Sequence, residues 1–423
     1  MEKRIFLLFS VILAMTTAAT STENIARYDH YRVYFVELAT EEHVKVFQKL
    51  EEISDSCTFY GHARQPGQKL HVMVAAARLA DFDDLLVTYK VNYEILTNNF
   101  QEKIDLQSKD VMPKDVDPST FNWDKYFHLE TINSWMENLA KSHKELTSVD
   151  MGPSYQGIPI KGVKLARNAS NPTIFIESGI HAREWIAPSA ATFIINELLN
   201  NEKWKTFAEN YNWIVFPVVN PDGYKYTFES DRMWRKNRNL FGISRGVDLN
   251  RNYPYHWNEI GCSDDPSRYD FCGTSGGSEV ETQRLMKFVQ DHKESDNIRT
   301  YIALHSFSQL IMFPYGFTAE KADNYDDLKE IGEKAAATIK RISGQTYKSG
   351  SLYETIYPSS GGSKDWAHGV LNIPITYTFE LRGPANSPDL FILPADQIKE
   401  TCEEAFGAIL TIVEEADKKG YYK

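Results

Sequence analysis

Thr173-Ile174-Phe175-Ile176-Glu177 reads as a strand, Ser178-Gly179 as the turn that ends it, and Ile180-His181-Ala182-Arg183-Glu184-Trp185 as the segment leading into a helix over 188–200. A short apolar run bounded by turn residues fits a strand buried on both faces, and the longer segment after it has the length of a helix. The alternation continues outward, with strands over 213–219, 300–304 and 375–381 and helices over 278–292, 325–342 and 394–418. Strands interleaved with helices predict an α/β sheet covered on both faces. Ligands in such folds sit beyond the carboxyl ends of strands. His181 and His305 each fall just past the end of a predicted strand, although they are far apart in sequence.

His-x-x-Glu occurs twice, as His181/Glu184 and His256/Glu259. The second lies in a polar loop with no apolar strand leading into it and reads as chance. At the end of a strand, a spacing of three lets His181 and Glu184 turn toward one point. Catalytic zinc commonly takes three protein ligands and keeps one open position, and two histidines with one glutamate is a known set. His305 is the natural third ligand. A metal-bound histidine usually gives its other N–H to a carboxylate, and Asp248 is the candidate partner of His181. On spacing alone, satisfied polar residues at strand ends remain the stronger reading.

The N-terminal quarter has a different pattern. Residues 31–38, 69–76 and 92–97 read as strands and 40–53 and 81–90 as helices, a compact α+β unit. The polar stretch 101–119 reads as an exposed linker with Lys103, Lys109 and Lys114 open to a trypsin-like protease. Ahead of it, Glu2-Lys3-Arg4, the apolar residues 5–15 and Thr17-Ala18-Ala19 form a secretory signal peptide. The predicted division is signal peptide 1–19, activation prodomain 20–100, cleavable linker 101–114 and catalytic domain 115–423. Secretion permits disulfides, and Asn168-Ala169-Ser170 matches the short N-glycosylation motif. The net charge of −12 argues against nucleic acid as a partner. No later stretch reaches the ~20 apolar residues of a membrane span.

Further blocks fall in order along the chain: Asn220-Pro221-Asp222-Gly223, Met233-Trp234-Arg235-Lys236-Asn237-Arg238, Asp248-Leu249-Asn250-Arg251-Asn252, His305-Ser306-Phe307-Ser308, the run from Tyr357 to Trp366, and Phe379-Glu380-Leu381-Arg382. With the His181 block they resemble the secreted metallocarboxypeptidases of the pancreatic, digestive type, over nearly the full chain. The resemblance implies a mixed, mostly parallel twisted sheet with helices on both faces, preceded by a small α+β ferredoxin-like prodomain. It implies one Zn2+ held by His181, Glu184 and His305, with Glu380 moving the protons. Arg235 matches the arginine that stabilises the oxyanion. Asn250 and Arg251 match the pair gripping the substrate's terminal carboxylate. Tyr357 matches the tyrosine that closes over that terminus, and Arg183, Ser306 and Phe307 match subsite residues. Phe307 departs from the tyrosine frequent in the family and lacks its hydroxyl.

The position seven residues after Tyr357, Lys364, matches the floor of the family's side-chain pocket. An apolar residue there accompanies aromatic or aliphatic C-terminal residues, and an acidic one accompanies Lys or Arg. A buried ammonium repels Lys and Arg and would be left unpaired by an apolar side chain. The prediction is therefore a preference for C-terminal glutamate, with Met312, Gly316, Leu352 and Thr378 as neutral pocket neighbours. If Lys364 instead pairs with Asp365, an aliphatic or aromatic preference follows. Cys262 and Cys272 flank a loop and are expected to be bonded, and Cys57 and Cys402 to be unpaired. Lys114 is the expected activation site, because Asp115 leads into a segment resembling a mature start. The implied partners are peptides with a free C-terminus, an activating trypsin-like protease and proteinaceous carboxypeptidase inhibitors, around a monomer in a gut lumen. The competing readings are a catalytically silent peptide-binding relative, a hormone-processing carboxypeptidase and an amidase on the same fold. No ligand or base is missing, no length remains for a further domain after the closing helix, and the Asn250-Arg251 clamp argues against the amidase.

Overall fold

The computed structural model describes residues 25–384 and 386–423. The expected signal peptide, residues 1–19, lies outside them. The first unit contains β1 (Arg32–Leu38), α1 (Glu41–Ile53), β2 (Cys57–Tyr60), β3 (Gln68–Val74), α2 (Leu79–Thr88) and β4 (Asn92–Thr97). Its four strands form an antiparallel sheet in the order β2-β3-β1-β4. Period-two alternation divides its side chains. Tyr34, Val36, Leu70 and Val72 face α1 and α2, packing on Phe47 and Phe82. Val33 and Met73 face the other way, against Met233, Phe307 and Phe391 of the second unit.

The stretch expected to be an exposed linker is instead largely helical. α3 (Phe100–Ser108) buries Phe100, Gln101 and Gln107. Gln107 donates to the Leu393 carbonyl (3.0 Å) and Lys103 pairs with Asp389 (2.6 Å). The polar composition of this stretch therefore makes anchoring contacts rather than a solvated tether. Lys109 and Lys114 remain exposed, and Lys114 pairs with Glu130 at 3.1 Å.

The second unit contains α4 (Leu129–Ser142), β5 (Leu146–Pro153), β6 (Pro159–Leu165), β7 (Thr173–Ser178), α5 (Ile186–Asn200), α6 (Lys205–Asn210), β8 (Asn212–Phe216), α7 (Pro221–Glu229), β9 (Leu240–Phe241) and β10 (Ser244–Arg245). There follow α8 (Val280–His292), β11 (Ile298–His305), β12 (Leu310–Phe313), α9 (Tyr325–Ser343), β13 (Lys348–Ser351), α10 (Leu352–Thr355), α11 (Ser363–Gly369), β14 (Ile375–Glu380) and α12 (Ile398–Lys418). The eight-stranded sheet runs β13-β12-β14-β11-β7-β8-β6-β5. Its centre, β14-β11-β7-β8, is parallel, and β12, β6 and β5 join antiparallel neighbours. Ile174 and Ile176 of β7 pack with α5, α9 and α12 on one face, while Phe175 packs with α8 and α11 on the other. Both faces of the central strands are thus buried, as the apolar runs require.

Candidate active site

The site lies at the carboxyl ends of β7, β11 and β14. Gly179, at φ +65°, turns the chain out of β7, and a Cβ there would stand 2.9 Å from the Pro217 carbonyl oxygen. The loop then delivers His181 and Glu184 beside His305, the last residue of β11. His181 Nδ1 lies 2.8 Å from Glu184 Oε1 and 3.0 Å from His305 Nδ1, which is itself 3.0 Å from Glu184 Oε2. Tetrahedral zinc with bonds of about 2.0–2.1 Å sets its donors roughly 3.3 Å apart, close to this spacing, and all three side chains are buried. His181 Nε2 faces Asp248 Oδ1 at 3.1 Å, which leaves Nδ1 as the free lone pair directed at the other two donors. Burial, then the nearby Arg235, lowers the pKa of His181 and favours the neutral imidazole a metal needs. Burial opposes ionisation of Glu184, but His181 and His305 outweigh it and hold the carboxyl below its ordinary range. The residues present fit a zinc ion.

Glu380 ends β14 directly opposite His305 in the register. Burial, then the charge of Glu184, pushes its carboxyl up to about 8, toward the range in which a carboxyl both takes and gives a proton near neutrality. Arg235 grips Asp248 through Nε (3.0 Å) and one terminal nitrogen (2.7 Å), and its other terminal nitrogen stands 3.2 Å from His181 Nδ1. Arg251 donates to the carbonyls of Gly261 and Asn250 and lies 3.3 Å from the Tyr357 hydroxyl. Gly361, at φ +71°, lets the chain pass close to Arg251, where a Cβ would stand 2.3 Å from its carbonyl oxygen. Asn250 Oδ1 accepts from the Ser363 amide (3.0 Å), so its NH2 group turns toward His305.

Of these residues His181, Glu184, Arg235, Asn250, Arg251, Tyr357 and Glu380 border a cavity of about 340 Å³. Ser306 and Phe307 line it, and the Ser306 amide donates to Glu184 at 3.3 Å. Phe307 packs edge-on against Phe391 and His71, with ring centroids 5.1 and 5.6 Å apart. Arg183 is buried under Phe391, its guanidinium carbon 4.0 Å from the ring centroid, rather than lying on the surface. Met312, Leu352 and Thr378 line the cavity as expected. Lys364, expected at the pocket floor, is not among the lining residues, and neither is Gly316; it is buried with Nζ on Asp365, whose other oxygen accepts from the Gly316 amide at 2.7 Å. Burial lowers the Lys364 pKa, and Asp365 opposes that shift. Cys262 and Cys272 are side by side with Sγ atoms 2.7 Å apart but not bonded, and all four cysteines, Cys57 and Cys402 among them, are free.

A prodomain of this family is expected to cap the cleft, but the sequence named none of the residues that form the roof. Tyr60, Gly61, Lys69 and His71 of the first unit also line the cavity. Arg64 holds its guanidinium 5.7 Å from the Tyr357 ring centroid. No local pattern in residues 57–71 marks them, since their role depends on how the two units dock. Phe391 had a weak signal, an apolar Leu390-Phe391-Ile392-Leu393 run outside any strand or helix.

Two buried imidazoles and a carboxylate, a proton-handling carboxyl and a buried arginine fork define a metal-dependent hydrolase built to hold a carboxylate. The chain belongs to the zinc carboxypeptidases: the family described as "Zinc carboxypeptidase" matches residues 132–408, and "Carboxypeptidase activation peptide" matches residues 34–107. It is 40% identical to zinc carboxypeptidase A 1 of Anopheles gambiae over 97% of this chain and 95% of that one. It is 41% identical to carboxypeptidase B of Astacus astacus over 69% of this chain and 97% of that one. The solved carboxypeptidase A of Helicoverpa armigera superposes with a TM-score of 0.84 at 28% identity, covering 93% of this chain and 99% of that one. The chain is thus a zinc carboxypeptidase carrying its activation peptide, with relatives of both the A and B types.

Proposed function

We propose that the protein is a secreted zymogen that, once cleaved after Lys114, removes C-terminal glutamate from peptides. His181, Glu184 and His305 hold the zinc, which supplies a Lewis acid for the scissile carbonyl and acidifies a water. Glu380 accepts the proton of the attacking water and passes it to the leaving amine. Arg235, its position fixed by Asp248, donates to the carbonyl oxygen as negative charge develops there. Arg251 and Asn250 bind the terminal carboxylate, and Tyr357, whose hydroxyl accepts from Arg251 at 3.3 Å, closes over it. Arg183, Ser306 and Phe307 contact residues further upstream in the peptide. Cys262 and Cys272 close a disulfide in the oxidising environment, and a trypsin-like protease performs the cleavage. Peptide inhibitors presenting a free carboxylate fit the same clamp. Delivery to a gut lumen rests on the signal peptide and zymogen design; among the described residues no helix is long and apolar enough to cross a membrane.

The glutamate preference is carried by one observation. Lys364 Nζ is buried outside the cavity lining with a single hydrogen-bond partner, Asp365, and an ammonium has three protons to donate. Asp365 is itself anchored by Gly316, so a substrate carboxylate can take a remaining proton without breaking the pair. Aspartate, one methylene shorter, reaches less well. The Lys364–Asp365 pair is the condition under which the sequence predicts a second reading, and it is present. If the pair is self-sufficient, Met312, Leu352 and Thr378 make a neutral pocket for aliphatic or aromatic residues. The Lys364→Met variant separates the two. Under the first reading kcat/KM for a peptide ending in Glu falls at least ~100-fold while that for Leu rises. Under the second, both stay within a few fold.

A further inference from the structure

Asn237 is fully buried, and it belongs to none of the groups that touch the cavity. It stands two residues after Arg235, where that segment runs beside the one carrying Asp248. Its backbone N–H donates to the Val247 carbonyl (3.1 Å), and its side-chain Oδ1 accepts from the Val247 N–H (2.8 Å). One residue therefore ties both backbone groups of Val247, the immediate neighbour of Asp248. Its Nδ2 spends both protons on buried carboxylates, Glu279 Oε2 at 2.7 Å and Glu281 Oε2 at 2.9 Å. Those carboxylates are anchored in turn. Glu279 accepts from Ser278 and Asn239, and Glu281 accepts from the Tyr155 amide. Burial raises the pKa of Glu281. An amide is the one uncharged side chain that can accept once and donate twice in this arrangement.

We propose that Asn237 is a positioning residue for catalysis, holding the Arg235 and Asp248 segments in the register that aims the guanidinium nitrogen of Arg235 not held by Asp248, the one beside His181, at the reacting carbonyl. This rests on the oxyanion role given to Arg235 above. The Asp248 carboxylate spans the same junction, taking Arg235 on one oxygen and His181 on the other. A shift of the two segments would move the oxyanion donor relative to the metal ligands, and misplacement by about 1 Å can cost ~100-fold in rate.

The test uses full-length protein, zinc-loaded and then activated by trypsin, with Asn237→Thr, Arg235→Ala and the double variant. Threonine offers one hydroxyl for three hydrogen bonds and introduces no charge beside Glu279 and Glu281. The expected result is a fall in kcat of about 10- to 100-fold with KM within twofold and zinc content unchanged. Affinity for a phosphonate analogue of the tetrahedral intermediate should fall by the same factor. In the Arg235→Ala background, Asn237→Thr should cost almost nothing more. An equal loss in both backgrounds, or a loss tracking melting temperature or zinc content, would overturn the proposal. A negligible effect of Arg235→Ala itself would remove the oxyanion reading and this proposal together. A negligible effect of Asn237→Thr beside a large one of Arg235→Ala would remove this proposal alone. Should Asn237→Thr fail to fold, Glu279→Gln keeps the shape and weakens only the acceptor. It predicts the same coupling to Arg235 with a kcat loss of about threefold, and additive losses would overturn the proposal.

Discussion

His305 and Glu380 stand opposite each other at the carboxyl ends of two adjacent parallel strands, the only acidic–imidazole pair in that register. The first points its Nδ1 into the metal donor set, and the second borders the cavity. Parallel pairing thus places a metal ligand and a proton carrier side by side without any loop between them. Glu380→Gln should keep the zinc and the fold and lose about 10²- to 10⁴-fold in kcat, measured by steady-state hydrolysis and metal analysis.

Asp248 orients His181 from a fully buried position. Asp248→Asn keeps the shape and removes the charge facing the imidazole. Zinc affinity should fall about 10- to 100-fold in a chelator competition, together with a kcat loss from the released Arg235.

Arg251 offers a planar fork to a carboxylate. Arg251→Lys should raise KM for peptides by roughly tenfold or more, because a point charge replaces two aligned donors. The wild-type enzyme should discriminate strongly against the same peptides bearing a C-terminal amide. Equal rates on acid and amide would contradict the clamp.

His71 roofs the cavity between Phe35 and Phe307, and burial lowers its pKa to about 4. Docking favours the neutral ring, so the contribution is complete above a free histidine's pKa of ~6.5 and declines as pH falls from there toward 4. The severed activation peptide should therefore inhibit more weakly at pH 5 than at pH 7.5. His71→Phe should flatten that part of the profile, read as the inhibition constant at each pH.

The central strands were legible because 174–176 and 301–304 are apolar on both faces, as strands buried on both sides require, while in 375–379 Thr376 and Thr378 alternate with Ile375, Tyr377 and Phe379. The metal trio followed, since two of its members fall at the ends of those runs. β5 and β6 escaped because residues such as Thr147, Ser148, Asp150, Lys161 and Lys164 interrupt their alternation at the sheet edge. α3 was hidden by its polar composition, which serves contacts to Leu393, Asp389 and Arg232 across 125 or more residues of chain. Asp365 was the alternative partner of Lys364 that the sequence offered, and the structure forms that pair.

The most direct measurement is the release of C-terminal residues from a matched peptide series ending in Glu, Asp, Phe, Leu, Lys and Arg, before and after trypsin treatment and with and without a zinc chelator. The account predicts little release before cleavage, fastest release of Glu afterwards, and loss of all release on chelation with recovery on added zinc. Release of Phe, Leu, Lys or Arg ahead of Glu, or release that survives removal of the metal, would contradict it.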